Sequence, residues 1–364
     1  MKRYFILFAA VMLLAGSFGF AKESIIIDFT LLDTDCCADE ETGIAKENSR
    51  TVMDYSVSAG ASFTDSQKAL LKTSLALPNW EVELNSSSRN VNAVANSRVV
   101  AAPVRDAEEV KVPFKGSNVM GVRVLFPTWS ANAYAKIKPP FEIQAYEPLA
   151  DCDENGIRQE QTDDQKGKYL FEEGYGLVRN VGVIKSISVS SYGENFPHGL
   201  YVLLKDNDNI ERRYFMGYLM FDGWKTLIWN NPEYATELRT RAVKHVPIYP
   251  RGTPFVKFQG FQITRDSMDN GGDFIGYFKD VKIIYDLAVT TADRDIDDEA
   301  LWGIIKKKET ARQVREMERF GDDQVLRYLE KQKIALDSET FKADDYLGTN
   351  DEDSTSSSGT AAEK

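Results

Sequence analysis

Histidine is almost missing from this chain: there are two in 364 residues, His198 and His245. Each lies close to a proline in a stretch that reads as turn or loop. So few imidazoles argue against a histidine-built metal centre and against a Ser-His-Asp relay. The motifs of hydrolytic and nucleotide chemistry are missing too: the chain has no HExxH, no GxSxG and no GxxxxGK[ST]. Glu173-Gly174-Tyr175-Gly176 begins like a dinucleotide loop but lacks the third glycine, and its context is strand. No cofactor and no catalytic residue are expected. Cysteine is scarce, with Cys36, Cys37 and Cys152 and no CxxC, so zinc and thioredoxin-like chemistry have no support. Two arrangements stay open: a bridge from Cys36 or Cys37 to Cys152, or three reduced thiols.

Positive charge is the minority sign. Lys and Arg number 44 against 56 Asp and Glu, a formal net charge of −12. Such a chain is repelled by nucleic acid and anionic lipid, so neither is an expected partner. Long apolar runs are also absent, except for Phe5 to Ala15. That run follows Lys2 and Arg3 and leads through Gly16, Ser17 and Gly19 to Ala21, the order of a secretory signal peptide cut between Ala21 and Lys22. It is shorter than the roughly 20 residues a membrane span needs. No cysteine follows it for lipidation. Removing Lys2 and Arg3 leaves the exported chain at −14, counting −12 minus two positive charges.

What is present is alternation. Trp80-Glu81-Val82-Glu83-Leu84 puts apolar and acidic residues on opposite faces, as a half-buried strand does. Met120, Val122, Val124 and Phe126 repeat the pattern, as do Phe141, Ile143 and Ala145. From Val183 to Ser191, Ile187 and Val189 face one way and Ser186, Ser188 and Ser190 the other. Strands are expected further on at 200–205, 213–221, 224–229, 255–264 and 274–285. The runs 224–229 and 255–263 are apolar on both faces, as central strands or an interface would be. Asp206-Asn207-Asp208-Asn209 and Asn270-Gly271-Gly272 are turn chemistry. Many strands without helical periods between them predict an antiparallel β-sandwich or jelly roll of the galactose-binding-like kind over 22–290.

Three stretches depart from the pattern: a short helix within 62–77, a surface excursion over 85–118 and a polar loop over 151–168. A helical arm is predicted over 291–336, with Asp297 and Asp298 at its start, a break at Gly321 and a second helix from Asp322. Residues 337–364 are acidic and serine-rich and predict a disordered tail.

Several polar and aromatic residues carry two readings each. Asp266, Asp269, Asn270 and Asp273 offer oxygen ligands for Ca²⁺, or form a solvated turn. Trp129, Trp224 and Trp229 offer stacking faces for sugar rings, or pack in the core or an interface. Asn85-Ser86-Ser87 matches a glycosylation acceptor.

One long stretch resembles a known family. Gly217-Tyr218-Leu219-Met220-Phe221-Asp222-Gly223-Trp224-Lys225-Thr226-Leu227-Ile228-Trp229-Asn230-Asn231-Pro232 is similar to a segment of the spirochaete flagellar filament outer-layer (sheath) proteins, FlaA. So are Tyr249-Pro250-Arg251-Gly252-Thr253-Pro254 with the following 255–266, Gly276–Tyr285, and Ile25-Ile26-Ile27-Asp28-Phe29. The resemblance implies a structural subunit of the periplasm that coats a flagellin core, with that core filament and other copies of itself as partners. Core flagellins of such filaments resemble long helical segments and lack a cleaved signal, the reverse of this chain. The alternative is an exported protein like a carbohydrate-binding module.

Overall fold

Period-two alternation can be satisfied only if each strand turns its apolar face toward a second apolar layer. The computed structural model has two such layers. It describes residues 21–32, 51, 53–54, 63–69, 71–106, 112–128, 130–145, 171–244, 247–266, 269–289 and 295–340. The signal segment 1–20, all three cysteines, Trp129, His245, the loop 151–168 and 341–364 lie outside the described residues.

The strands are β1 (Lys22–Asp28), β2 (Met53–Asp54), β3 (Lys72–Thr73), β4 (Glu81–Leu84), β5 (Arg98–Pro103), β6 (Asn118–Phe126) and β7 (Tyr134–Lys138). They continue with β8 (Leu177–Arg179), β9 (Val181–Glu194), β10 (His198–Asp206), β11 (Glu211–Tyr218), β12 (Asp222–Asn230), β13 (Phe255–Arg265) and β14 (Gly272–Leu287). The α-helices are α1 (Asp65–Ala69), α2 (Val91–Asn96), α3 (Tyr234–Val243), α4 (Asp298–Trp302) and α5 (Ile304–Thr340).

The first sheet runs β12-β9-β14-β6-β5, with β1 sharing an edge of β14, and the second runs β11-β10-β13-β7-β4, with β8 sharing an edge of β13. All these pairings are antiparallel. This is the expected sandwich. β13 and β14 are consecutive strands of different sheets, so the connection between them carries the chain from one layer to the other.

The core is aromatic at its centre. Phe29 meets Trp80, Phe258 and Phe261 at 5.6, 6.1 and 5.7 Å between ring centres, and Phe261 stacks on Phe278 at 4.5 Å. Strict alternation would send Phe258 and Phe261 to opposite faces, because they are three residues apart. A bulge resolves this: Leu203 pairs with Gly260 and Leu204 with Phe258, so one residue is left over and both rings turn inward. Gly260 has φ +133°, and a Cβ there would collide with the Ile137 carbonyl oxygen of β7.

Several expectations are corrected. Phe141, Ile143 and Ala145 are buried but form no strand, since Pro139 and Pro140 have no N–H to continue the ladder after β7. The excursion over 85–118 contains α2, capped by the Asn90 side chain, and the edge strand β5. The 224–229 run is an edge strand, exposed along Lys225, Thr226 and Ile228. Gly321 does not break the arm. α5 passes through it and reaches Thr340, because Gly321 is buried with Phe320 where the helix meets the sheet. The hairpin turn at 206–209 forms as expected, with Asn209 at φ 66°.

Replacing Gly260 with alanine is expected to destabilise the fold by more than about 2 kcal/mol, through left-handed strain and the clash on β7. Urea denaturation of the G260A variant checks this, and an unchanged midpoint would contradict the bulge as the device that fills the core.

Candidate interaction surfaces

A long helix with a thin apolar stripe needs something besides hydrophobic burial to hold it against a sheet. Here it is an ion cluster. Lys257 of β13 is 1% exposed and lies on the outer side of the second sheet. Its ammonium donates to Glu142 at 3.4 Å and to Glu316 of α5 at 3.3 Å. Glu142 also accepts from Lys205 at 2.9 Å and from Arg319 of α5 at 3.2 Å. Burial pushes the Lys257 ammonium down, against the pull of Glu316 and Glu142. Burial alone would raise the Glu142 carboxyl, but Lys257, Lys205 and Arg319 outweigh it and hold it below the usual range. Phe320 fills the space beside this cluster, Tyr328 packs on Phe63, and Arg327 donates to the Pro139 and Pro140 carbonyls. At the other end of the helix Glu299 accepts from the N–H groups of Ile305 and Lys306, while Tyr249 donates to Glu299 at 2.8 Å. Asp297 caps α4 through the Ala300 N–H, as the sequence predicts. The outward side of the arm carries Leu326, Leu329 and Leu336, all exposed, and α4 adds exposed Leu301 and Trp302.

A cleft of about 820 Å³ opens at the end of the sandwich where β9 and β11 begin and β10 and β12 end. Two of the stretches that carry the family resemblance meet there: Trp229 to Pro232 on one side, Arg251 and Pro254 on the other. Trp229 and Tyr214 form its aromatic wall, with ring centres 4.7 Å apart. Arg241 of α3 lies against Gly182, where any Cβ would collide with its guanidinium, and donates to the Leu287 and Ala288 carbonyls. Arg212 pairs with Asp206 at 3.2 Å. Arg213 and Arg251 line the same cleft, exposed and without a carboxylate partner among the described residues.

The outer face of the first sheet carries a third feature. Trp224, Tyr192 and Tyr277 sit side by side on β12, β9 and β14, in register. Their rings contact edge to face at 5.5 and 5.8 Å, and Phe114 closes on Trp224 at 4.8 Å. Trp224 and Trp229 therefore both pack edge to face against other rings and are half-buried.

The remaining predicted residues are dispersed. Asp273 pairs with Arg123 at 2.7 Å, and Asp269 lies 3.6 Å from His198 Nε2. Among the described residues no group of three or more His, Cys, Asp or Glu is placed to hold a metal ion. The Asn85 amide donates to the Asn132 carbonyl and its oxygen accepts from the Tyr134 N–H, so it fastens β4 to β7. His198 is not in a loop. It opens β10, 3% exposed, stacked on Phe126 and tilted against Phe274, with no hydrogen-bond partner on either ring nitrogen. Burial pushes its pKa down to about 4, partly offset by Asp269. The arginines of the cleft escaped the sequence reading because they come from three separate segments. Arg212-Arg213-Tyr214, two adjacent cations opening a strand, was the available signal.

The family model of flagellar filament outer layer protein FlaA matches residues 44–294. A flagellar filament outer layer protein of Treponema pallidum (strain Nichols) is 53% identical over 93% of this chain and 95% of its own length. One from Spirochaeta aurantia is 43% identical over 94% and 96% respectively. Among solved structures, a β-sandwich carbohydrate-binding module matches 57% of this chain and 58% of its own at 12% identity, with a TM-score of 0.27. Among the described residues no helix is long and apolar enough to cross a membrane.

Two predictions follow from the buried charges. E142Q removes the carboxylate that faces three cations, so it should cost about 3 kcal/mol and raise amide exchange along α5; unchanged exchange there would refute the clamp. His198 binds its proton more weakly folded than unfolded. Its contribution is therefore full above its ordinary value of 6.5 and is lost as pH falls toward 4. Denaturation at pH 7 and pH 4.5 should differ by about 2 kcal/mol more in the native sequence than in H198L.

Proposed function

This chain belongs to the FlaA family of flagellar filament outer layer proteins, and from that we propose that it is a repeated structural subunit of the sheath of periplasmic flagella, coating a flagellin core. The observation that carries the reading is the 53% identity across nearly the whole of both chains. Export through a signal peptide cut between Ala21 and Lys22 belongs to the same proposal, since a coat added from the periplasm must first reach it. The role is structural, without catalysis or cofactor, and its partners are the flagellin core and further copies of itself.

Physical features support it. A subunit that repeats along a filament needs at least two different contact surfaces, because its contacts are heterologous. Exposed apolar side chains occur in separate places: on α4 and α5, on the edge strand β12 at Ile228, and within 85–118 at Val91, Val100 and Phe114. The arm and the 85–118 segment are the proposed contact regions. The ion cluster under α5 matters here, since a repeating contact made by a loose arm would lose ordering entropy at every subunit. A coat far from the filament axis stiffens it and biases its curvature.

Electron cryotomography of cells with the gene deleted checks the reading. Periplasmic filaments should be thinner and bend more easily, and the protein should co-purify with wild-type filaments. Filaments of unchanged diameter and stiffness would overturn it.

A further inference from the structure

The cleft at the end of the sandwich has a charge that the rest of the chain lacks. Arg213 and Arg251 have no carboxylate partner among the described residues, and Arg241 spends its hydrogen bonds on backbone carbonyls, which leave its charge uncancelled. Against these three stand Glu233 and Glu237, in a protein whose formal net charge is −12. Between the arginines lies the aromatic wall of Tyr214 and Trp229. Burial pushes the Tyr214 phenol up, consistent with a ring set into apolar surroundings. Such a cleft fits an extended acidic segment with an aromatic or aliphatic anchor: arginines bind carboxylates in paired, directional hydrogen bonds, and stacked rings supply contact area at low entropy cost.

The chain itself contains such a segment. Residues 341–364 hold six acids, at 344, 345, 351, 352, 353 and 363, against lysines at 342 and 364. The part next to the helix reads Asp344-Asp345-Tyr346-Leu347, an apolar pair directly behind two carboxylates. We propose that this acidic segment of one copy docks in the arginine cleft of a second copy, linking subunits head to tail. The proposal rests on the reading of the protein as a repeating subunit and names one of its contacts.

Helix geometry favours a second copy. Helix α5 begins on the cleft side: Glu309 lies 3.9 Å from where a Cβ would stand on Gly252, next to Arg251. It then crosses the second sheet, and Lys331 pairs with Glu81 on the far edge strand β4. From Glu309 to Thr340 the helix covers about 46 Å at 1.5 Å per residue. Tyr346 follows Thr340 by six residues, a reach of about 20 Å when fully extended. The anchor therefore falls short of the Arg251 side of its own chain's cleft, and its natural target is a neighbour displaced along the helix direction. Donor and acceptor are different surfaces at opposite ends, the arrangement that propagates rather than closes.

The test is a charge swap in the full-length exported chain, read by sedimentation velocity at low and high salt. R213E with R251E should weaken self-association about tenfold, and so should lysine replacing Asp344 and Asp345. Arg213 and Arg251 are exposed, and Asp344 and Asp345 follow α5 in the sequence, so circular dichroism should be unchanged. Mixing the two variants, or combining both changes in one chain, should restore association. Y346A should weaken it without changing the salt dependence. The proposal is overturned if the cleft and tail variants associate like the native sequence, if the swap fails to restore association, or if the tail crosslinks only within its own chain. Filament co-purification is scored in parallel: association lost with coating retained keeps the tail contact but makes it dispensable, whereas a native protein absent from filaments would overturn the structural reading itself.

Discussion

The whole molecule depends on keeping the space between its two sheets dry and filled. Phe29, Trp80, Phe258, Phe261 and Phe278 interlock there, with contributions from both sheets and from the short helical turn after β1. Each ring is in contact with another, so none can move without opening a void, and voids in an interior packed to crystal density are costly. The irregularities of the fold serve this demand. The bulge at Gly260 brings two rings to one face, and the indole of Trp80 donates to the Leu75 carbonyl, which allows a polar N–H inside the layer.

With the core filled mainly by the sheets and the turns that join them, the outer elements are free to serve the outside. The arm shows how this is done. A helix with few apolar contacts is held by a lysine whose ammonium burial pushes down, against the pull of Glu316 and Glu142. Burying a charge is poor economy for stability but it is demanding about geometry, because the ammonium must meet its carboxylates in one place. The cluster therefore fixes where α5 lies and leaves Leu326, Leu329 and Leu336 outward. A hydrophobic seat would have absorbed those leucines.

The sandwich was legible in the sequence because alternation reports burial directly. Ile187 and Val189 are fully buried and Ser188 and Ser190 are not, as their order along the chain implies. Where the reading failed, an influence beyond the local pattern prevailed. Phe141, Ile143 and Ala145 alternate and are buried, yet two prolines remove the donors a ladder needs. The run with Thr226 and Ile228 reads as a central strand or an interface, and it is not central but an edge, since strand order is a property of topology that a single strand does not encode. Gly321 reads as a stop, but packing against the sheet outweighs about 1 kcal/mol of helix propensity. His198, beside a proline, read as a loop residue because nothing in its own segment announces Phe126 and Phe274.

The cleft was the least legible feature, for the same reason. Arg213, Arg241 and Arg251 come from a strand, a helix and a loop, and each alone is an ordinary surface cation of an acidic protein. Their convergence is produced by strand order: β11 and β12 are edge strands on the same side of their two sheets, and α3 follows β12 directly, so that side of the sandwich gathers whatever these segments carry. A closed barrel would have no such side. In a chain with this excess of carboxylates, a local surplus of guanidinium attracts the chain's own kind, and the attraction weakens as salt rises. Assembly driven that way needs no new chemistry, only carboxylates beyond one end of a long helix and guanidinium groups near the other.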